Sequence, residues 1–135
     1  MSDELKKAQD VSSSVHNSII DRSFQFAIRI VRLCQYLEKQ ERVSRTLANQ
    51  LLRSGTSIGA NIEEAQAGYS KADFTAKMSI ARKEARETLY WLRILKESEL
   101  VSEVQSAEII QEADEVVRIL TSIVKTSQAG GKNAK

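Results

Sequence analysis

The chain has 135 residues, of which 41% are hydrophobic and 28% charged, with no proline, five glycines and a formal net charge of +2. A chain of this length buries enough surface for a core of its own, and the scarcity of proline and glycine excludes collagen-like, proline-rich and glycine-paced β-sandwich classes. One cysteine and one histidine exclude an intramolecular disulfide and a Cys/His zinc site. The composition therefore indicates one soluble, all-helical domain suited to the reducing cytoplasm.

No segment has the pattern of an export signal or a membrane span. The longest stretch without a charged residue covers residues 11–20 and includes a run of serines, whereas a membrane-spanning helix needs about 18 apolar residues. The N-terminus opens with acidic residues instead of the basic and then apolar pattern of a signal sequence. We therefore expect a cytoplasmic protein with no membrane partner.

In chain order, residues 1–17 are polar and weakly periodic, which predicts a flexible arm or a short helix. Four segments with apolar residues at helical spacing follow, at about 18–40, 44–67, 71–98 and 102–126. Residues 127–135 have no apolar face, so a disordered tail is predicted after the helical region 18–126. The core face predicted for the first helix consists of Ile20, Phe24, Ala27, Val31, Cys34 and Leu37.

Local signals agree with these limits. Ser70 followed by Asp73, and Ser102 followed by Gln105, have the spacing of helix N-caps. Gly68 is expected to take the left-handed conformation at a helix C-terminus. Because the connections are only a few residues long, successive helices are predicted to be antiparallel neighbours. The predicted fold class is all-α, an antiparallel up-down-up-down four-helix bundle.

Charge is distributed unevenly among the predicted helices. The first and third are net basic and the fourth is net acidic, which would steer pairing within the bundle or between subunits. The basic side chains form stripes that suit phosphate backbones, although a solvated face or intersubunit ion pairs would give the same pattern. The candidate nucleic-acid-binding residues are Arg22, Arg29, Arg32, Lys39, Arg82, Arg86 and Arg93.

The second helix contains an unusual run of small and polar residues. Gly55 and Gly59 cost helix stability relative to alanine, and their spacing would let another helix approach closely. A polar stripe, which includes Ser54 and Ser57, lies beside the apolar face and needs partners. We predict a buried polar network that fixes helix register, with a ligand or subunit groove as the alternative. The predicted network consists of Asn61, Glu64, Lys77 and Glu84.

The sequence gives little support for catalysis. Glu64 and Glu84 imitate part of a di-metal bundle site, but that chemistry needs Glu-x-x-His repeats, and His16 precedes the first predicted helix. The position of His16 also disfavours a Ser-His-Asp arrangement, and there is no Walker pattern. We expect no catalytic residue, no metal and no cofactor, and we interpret Cys34 as a small core residue.

Two long motifs carry a resemblance to a known family. They are LLRSGTSIGANIEEA at residues 51–65 and DFTAKMSIARKEARETLYWL at residues 73–92. With these motifs the chain resembles, over about residues 17–125, the bacterial four-helix-bundle proteins encoded within intervening sequences of large-subunit (23S) ribosomal RNA genes. One departure is Glu99, at a position where relatives commonly place glycine after the third helix.

The resemblance implies an antiparallel four-helix bundle that assembles into a ring-like homopentamer. It also implies kinship with the accessory protein of diversity-generating retroelements, which binds nucleic acid and a reverse transcriptase. It implies no particular biochemical activity. The recurrent polar and aromatic positions of the family are occupied here by Ser57, Asn61, Glu64, Lys77, Glu84, Glu87 and Trp91. The elements at residues 53–57 and 90–91 suit a subunit contact at least as well as a ligand site.

Three functional hypotheses result. The first is a non-enzymatic homopentamer that presents basic helical surface to nucleic acid, with ribosomal RNA as the candidate target. The second is a protein-interaction scaffold with no nucleic-acid role, for which kinship suggests a reverse transcriptase as partner. The third is an enzyme that uses the cluster of Asn61, Glu64, Lys77 and Glu84, and it would need a metal or small molecule between the second and third helices.

Overall fold

Four helices make up the fold in the computed structural model, which describes the backbone of residues 3–133 and the side chains of residues 19–130. They are α1 (Asp3–Glu38), α2 (Arg42–Gln66), α3 (Lys71–Glu97) and α4 (Glu103–Asn133). Each helix packs against two others, in the cyclic order α1, α2, α3, α4, and within the described residues the diagonal pairs make no contact. The predicted all-α four-helix bundle is confirmed.

The two terminal helices extend beyond the limits expected from the sequence. α1 begins at Asp3 and continues without a break through residues 3–17, where an arm or a short helix was predicted. α4 continues to Asn133 instead of ending near residue 126, so part of the predicted disordered tail is helical. Neither extension contains proline, and a helix that is already nucleated propagates through residues that lack an apolar face of their own.

The predicted N-caps are present. The Ser70 hydroxyl accepts a hydrogen bond from the Asp73 amide at 3.1 Å. Ser102 and Gln105 form a reciprocal capping box, with distances of 2.8 and 3.1 Å between amide and side chain. The prediction for Gly68 is wrong, because none of the described glycines has a positive φ. α2 ends instead with two hydrogen bonds, in which the backbone amides of Ala67 and Gly68 donate to the carbonyl oxygens of Glu64 and Ala65.

The core face of α1 differs from the predicted one. Phe24 and Val31 are 54% and 38% exposed, whereas Phe26 and Ile30 are fully buried. α2 decides between the two faces, because its glycines admit α1 closely. A Cβ added at Gly55 would lie 2.8 Å from Ile30 Cγ2, and one added at Gly59 would lie 3.3 Å from the Ser23 hydroxyl. The close approach that the glycines allow is therefore made within one chain.

Cys34 is a buried core residue, as predicted. Its thiol lies 3.5 Å from the Ala48 carbonyl oxygen and has no disulfide partner. Burial, with a smaller contribution from the Glu38 carboxylate, raises the pKa of Cys34 to about 11. The thiol is therefore protonated and poorly nucleophilic at neutral pH.

Within the described residues, no helix has a stretch long and apolar enough to cross a membrane.

Candidate nucleic-acid interface

Four cationic side chains, Arg82, Lys83, Arg86 and Arg93, occupy the side of α3 that points away from the core. We call this set the α3 basic face. Three of them are the residues predicted on α3, and Lys83 is an addition that their helical spacing brings to the same side. Among the described side chains, none of the four forms an ion pair with a carboxylate. Their charge is available to an external anion.

Two carboxylates of α3, Glu84 and Glu87, are paired with α2, whereas Glu97 is exposed beside Arg93 at the C-terminal end of the helix. Between residues 74 and 96, α3 has only two acidic residues, Glu84 and Glu87. Arg53 of α2 lies 3.2 Å from Glu84, whose side chain is only 13% exposed, and it also contacts Glu87. Because Arg53 supplies the opposite charge within contact distance, it offsets part of the negative charge of Glu84 and Glu87 beside the α3 basic face.

The basic stripe predicted on α1 is in a different electrostatic situation. The Arg22 guanidinium donates to Glu112 at 2.9 Å and to Glu115 at 2.6 Å, and Arg29 lies 3.8 Å from Glu108. All three carboxylates belong to α4. The hydrogen bond to Glu112 raises the pKa of Arg22, against the opposing effect of burial.

Only part of the α1 stripe remains available to an external ligand. Arg32 and Lys39 are exposed, and neither forms an ion pair with a described side chain. The predicted stripe therefore divides into a half that holds α1 against α4 and a half that faces solvent. The ion pairs between α1 and α4 match one of the alternatives that the sequence left open, in which oppositely charged helices pair within the bundle.

The four residues predicted to form one buried network do not form it. Lys77 and Glu64 make an exposed pair at 3.7 Å, Glu84 pairs with Arg53, and Asn61 donates to the Ser57 carbonyl of its own helix at 2.8 Å. All four residues lie on the neighbouring helices α2 and α3. They differ in burial and in position along the helix axes, so they do not meet at one point.

The buried polar contact between α2 and α3 is smaller. The Thr88 hydroxyl donates to Ser54 Oγ at 2.9 Å, and both residues are fully buried. Ser57 instead donates to the Arg53 carbonyl at 2.6 Å. Sequence reasoning included Ser54 in the stripe but missed Thr88 as its partner, which lies on the α3 core face that the periodicity had identified.

Two adjacent aromatic residues border the α3 basic face. Tyr90 is 55% exposed, and Trp91 is half-buried against the core cluster. Their ring centroids are 5.2 Å apart in an edge-to-face arrangement. The buried indole nitrogen of Trp91 has no described acceptor. Tyr90 therefore projects from the bundle with its ring braced from one side.

α4 carries two exposed cations, Arg118 and Lys125, seven residues apart. Thr75 contacts Ser127, and Lys96 lies 3.8 Å from Glu103. Arg118 is paired with Asp114 at 3.0 Å. Sequence reasoning missed both cations because α4 is acidic overall, although their spacing of seven residues is the signal that they share a side.

Within the part of the chain whose side chains are described, no group of three or more His, Cys, Asp or Glu side chains has metal-binding geometry. The interface can instead bind anions, since it offers unpaired guanidinium and ammonium groups along one helix.

Comparison with known proteins places this geometry in context. The model of the family described as 23S rRNA-intervening sequence protein matches residues 16–122. A crystal structure from Bacteroides thetaiotaomicron VPI-5482, described as a protein of unknown function from the S23 ribosomal protein family, is similar with a TM-score of 0.73. It is 44% identical in sequence, and the match covers 79% of this chain and 98% of that one. The search of curated proteins gave no match.

Proposed function

We propose that this chain, which belongs to the 23S rRNA-intervening sequence protein family, is a non-enzymatic protein that binds nucleic acid through the α3 basic face. Ribosomal RNA is the proposed target, and the cytoplasm is the proposed location. The active form in this proposal is a homo-oligomeric ring, with five subunits as the expected number. A ring would repeat the basic face around its circumference, so that several weak contacts act together.

The observation that carries the proposal is the separation of charge on α3. Every charged residue of α3 between positions 79 and 93 that points away from α2 is basic, because Arg53 holds Glu84 and Glu87 on the other side. A row of unpaired cations on a rigid helix releases counterions when it meets a phosphate backbone. The α1 stripe offers less, since Arg22 and Arg29 are paired with α4.

A stripe of exposed apolar side chains supports self-assembly. Phe24 and Val31 of α1 are exposed, and so is Leu52 of α2, at 38%. Leu52 lies one turn before Gly55, the glycine of α2 that packs against Ile30 of α1. Apolar surface of this kind, repeated at helical spacing, is typical of a protein interface. In a ring, this stripe would meet a different surface of the next subunit.

The non-enzymatic part of the proposal rests on the state of the candidate catalytic groups. Glu84 is occupied by Arg53, and Lys77 and Glu64 form an exposed pair that faces solvent. Cys34 is buried with a raised pKa. None of these side chains offers an activated nucleophile or base next to a cavity.

RNA binding is tested by fluorescence anisotropy with a labelled structured fragment of large-subunit ribosomal RNA over a salt series. We expect binding at about 50 mM salt that weakens as salt increases. An absence of binding at about 50 mM salt would overturn the nucleic-acid part of the proposal.

Assembly is tested by light scattering on the full chain. We expect a mass of five times the 15.1 kDa of one subunit. Replacing Phe24 and Val31 with serine should lower that mass. The matched control is Val104→Ser, because Val104 is 90% exposed but lies on α4, away from the stripe. A wild-type mass of 15.1 kDa would contradict the ring.

A protein-interaction scaffold is the second candidate, and the same apolar stripe favours it. In that case the exposed side chains Phe24, Val31 and Leu52 would receive a partner protein, for which a reverse transcriptase is the candidate from kinship. Substitution of the α3 arginines would then leave RNA binding absent throughout, while the serine substitutions would abolish capture of the purified partner.

A further inference from the structure

We infer that the exposed ring of Tyr90 is a stacking site for one unpaired nucleobase, so that the α3 basic face binds single-stranded RNA in preference to duplex. This inference rests on the proposed nucleic-acid binding and names its substrate class. The site is a surface depression of about 230 Å³ at the C-terminal end of α3. Its lining residues are Tyr90, Arg93, Ile94, Glu97 and Ser98.

Tyr90 has the exposure and the support that a stacking platform needs. The side chain is 55% exposed and lines the depression together with Arg93, Ile94 and Glu97. Trp91 packs against it edge to face, with an interplanar angle of 67°, and is itself anchored in the core cluster. Because the ring is already held in place, a base that stacks on it loses little additional side-chain entropy. Ile94 provides an apolar floor beside the ring.

Cations flank the ring in both directions along α3. Arg86 lies one turn before Tyr90, and Arg93 lies one turn after it and lines the depression. Both are exposed, and neither is paired with a described carboxylate. A nucleotide has a flat base and a charged phosphate, and this arrangement offers a partner for each. Alternation of aromatic and basic groups along a surface is how sequence-tolerant single-strand binders operate.

Tyr90 can stack on a base only where the face of that base is free, and this condition favours single-stranded RNA over duplex. In a duplex, each base is stacked between its neighbours and its face is covered, so an aromatic ring at the protein surface has no base face to stack on. In a single strand, the base swings out and stacks on an aromatic ring. Duplex RNA would therefore use the cations of this face alone, whereas single-stranded RNA would use the cations and Tyr90.

Glu97 gives the depression a preference among bases. It is exposed at the rim, and its carboxylate accepts hydrogen bonds but donates none. Cytosine presents an amino donor at the position where uracil presents a carbonyl acceptor, and a carboxylate accepts from the cytosine amino group. The site should therefore bind an unpaired cytosine more tightly than an unpaired uracil.

The experiment titrates the full-length protein against fluorescein-labelled single strands of about 12 nucleotides, one of cytidines and one of uridines. A hairpin duplex with the same number of phosphates is the third probe. Tyr90→Ala should weaken binding of the cytidine strand about tenfold and leave hairpin binding within about twofold. Tyr90→Phe keeps the ring and should bind like the wild type. Tyr69→Ala is the matched control, because Tyr69 is a fully exposed tyrosine in the α2–α3 connection.

The outcomes separate this inference from the proposed function. If no probe binds, the proposed function fails, and the inference fails with it. If the single strands bind and Tyr90→Ala changes their affinity no more than Tyr69→Ala, only the stacking site is overturned. If Tyr90→Ala lowers the oligomer mass in light scattering and weakens hairpin and single strand equally, Tyr90 is a subunit contact and the inference is wrong. Circular dichroism of both alanine variants establishes that they are folded.

The role of Glu97 has its own test. Wild-type protein should favour the cytidine strand over the uridine strand, and Glu97→Gln should reduce that preference, because the amide also donates to the uracil carbonyl. Equal binding of the two strands by the wild type would overturn the assignment of Glu97 while leaving the stacking on Tyr90 intact.

Discussion

The basic residues of α1 and those of α3 are alike in sequence and different in structure. Each helix places arginines at helical spacing on one side. On α1, Arg22 donates hydrogen bonds to Glu112 and Glu115 of α4, and Arg29 lies 3.8 Å from the exposed Glu108. On α3, Arg86 and Arg93 are exposed and unpaired within the described residues. The first set stabilises the bundle, and the second is available to a ligand.

The difference in ion pairing arises from the neighbouring helices and is not visible in the sequence of either basic stripe. α4 directs Glu108, Glu112 and Glu115 toward α1, whereas among the described side chains it pairs with α3 only through Glu103 and Lys96. α2 contributes Arg53, which offsets part of the charge of two α3 carboxylates. The net charge of a helix is therefore a poor guide to its function, since the partners of each charge decide what remains for binding.

The largest effect should follow from removal of the α3 cations. In the triple variant Arg82→Gln, Arg86→Gln and Arg93→Gln, we expect RNA affinity at about 50 mM salt to fall more than tenfold, because three phosphate contacts are lost. The free energy of unfolding should change by less than about 0.5 kcal/mol, since these side chains make no ion pair within the described part of the chain. Anisotropy and urea denaturation measure the two quantities. An unchanged RNA affinity would show that the α3 cations contribute no more to RNA binding than the paired cations of α1.

The reverse pattern is expected on α1. Arg22→Gln breaks hydrogen bonds to Glu112 and Glu115 and leaves two carboxylates close together. After allowance for their partial exposure, we expect the free energy of unfolding to fall by about 1 kcal/mol. RNA affinity should stay within about twofold of the wild type. Urea denaturation of the variant measures the loss, and a tenfold loss of RNA affinity would show that the pairing with α4 gives way to the ligand.

A smaller effect should follow from Arg53→Gln, which acts on the α3 basic face from the neighbouring helix. Without Arg53, the charges of Glu84 and Glu87 are no longer cancelled and lie beside the cations. We expect RNA affinity to fall about threefold at about 50 mM salt, and this loss should shrink at about 0.15 M salt, where the Debye length is about 8 Å. An equal loss at both salt concentrations would mean that Arg53 contacts the RNA itself.

The smallest effect is expected at a position outside both stripes. Glu99 has a φ of 60°, in the left-handed region, at the turn after α3. A non-glycine residue there costs about 1–2 kcal/mol, and glycine loses part of that gain through its flexibility in the unfolded chain. Glu99→Gly should therefore stabilise the protein by about 0.5 kcal/mol in urea denaturation and leave RNA affinity unchanged. Destabilisation would contradict this conformation.

Much of the fold is predictable from the sequence, because it depends on local signals. The four helices, their order and the caps at Ser70 and Ser102 follow from periodicity and from short-range hydrogen bonds. The core face of α1 was not predicted correctly. Two apolar stripes lie side by side on that helix, and the buried one contains Ser23, which makes it look less apolar. Only the glycines of α2 distinguish them.

The candidate site was predictable in part. Arg82, Arg86 and Arg93 were identified by spacing, but spacing identified Arg22 and Arg29 equally. The pairing that separates them depends on the rotation and register of two helices that are distant in sequence. The expected network of Asn61, Glu64, Lys77 and Glu84 failed for the same reason. The spacing of residues on one helix shows which of them share a side of that helix. Whether they contact a second helix also depends on the rotation of that helix and on its register along the first.

The most direct test of the account is the salt dependence of RNA binding in two matched double variants. Arg86→Gln with Arg93→Gln removes two cations from α3, and Arg22→Gln with Arg29→Gln removes two from α1. We expect the slope of log affinity against log salt to become shallower by about 1.4 for the α3 pair on single-stranded RNA and to stay unchanged for the α1 pair. Equal changes in the two slopes, or no change in the α3 pair, would contradict the account.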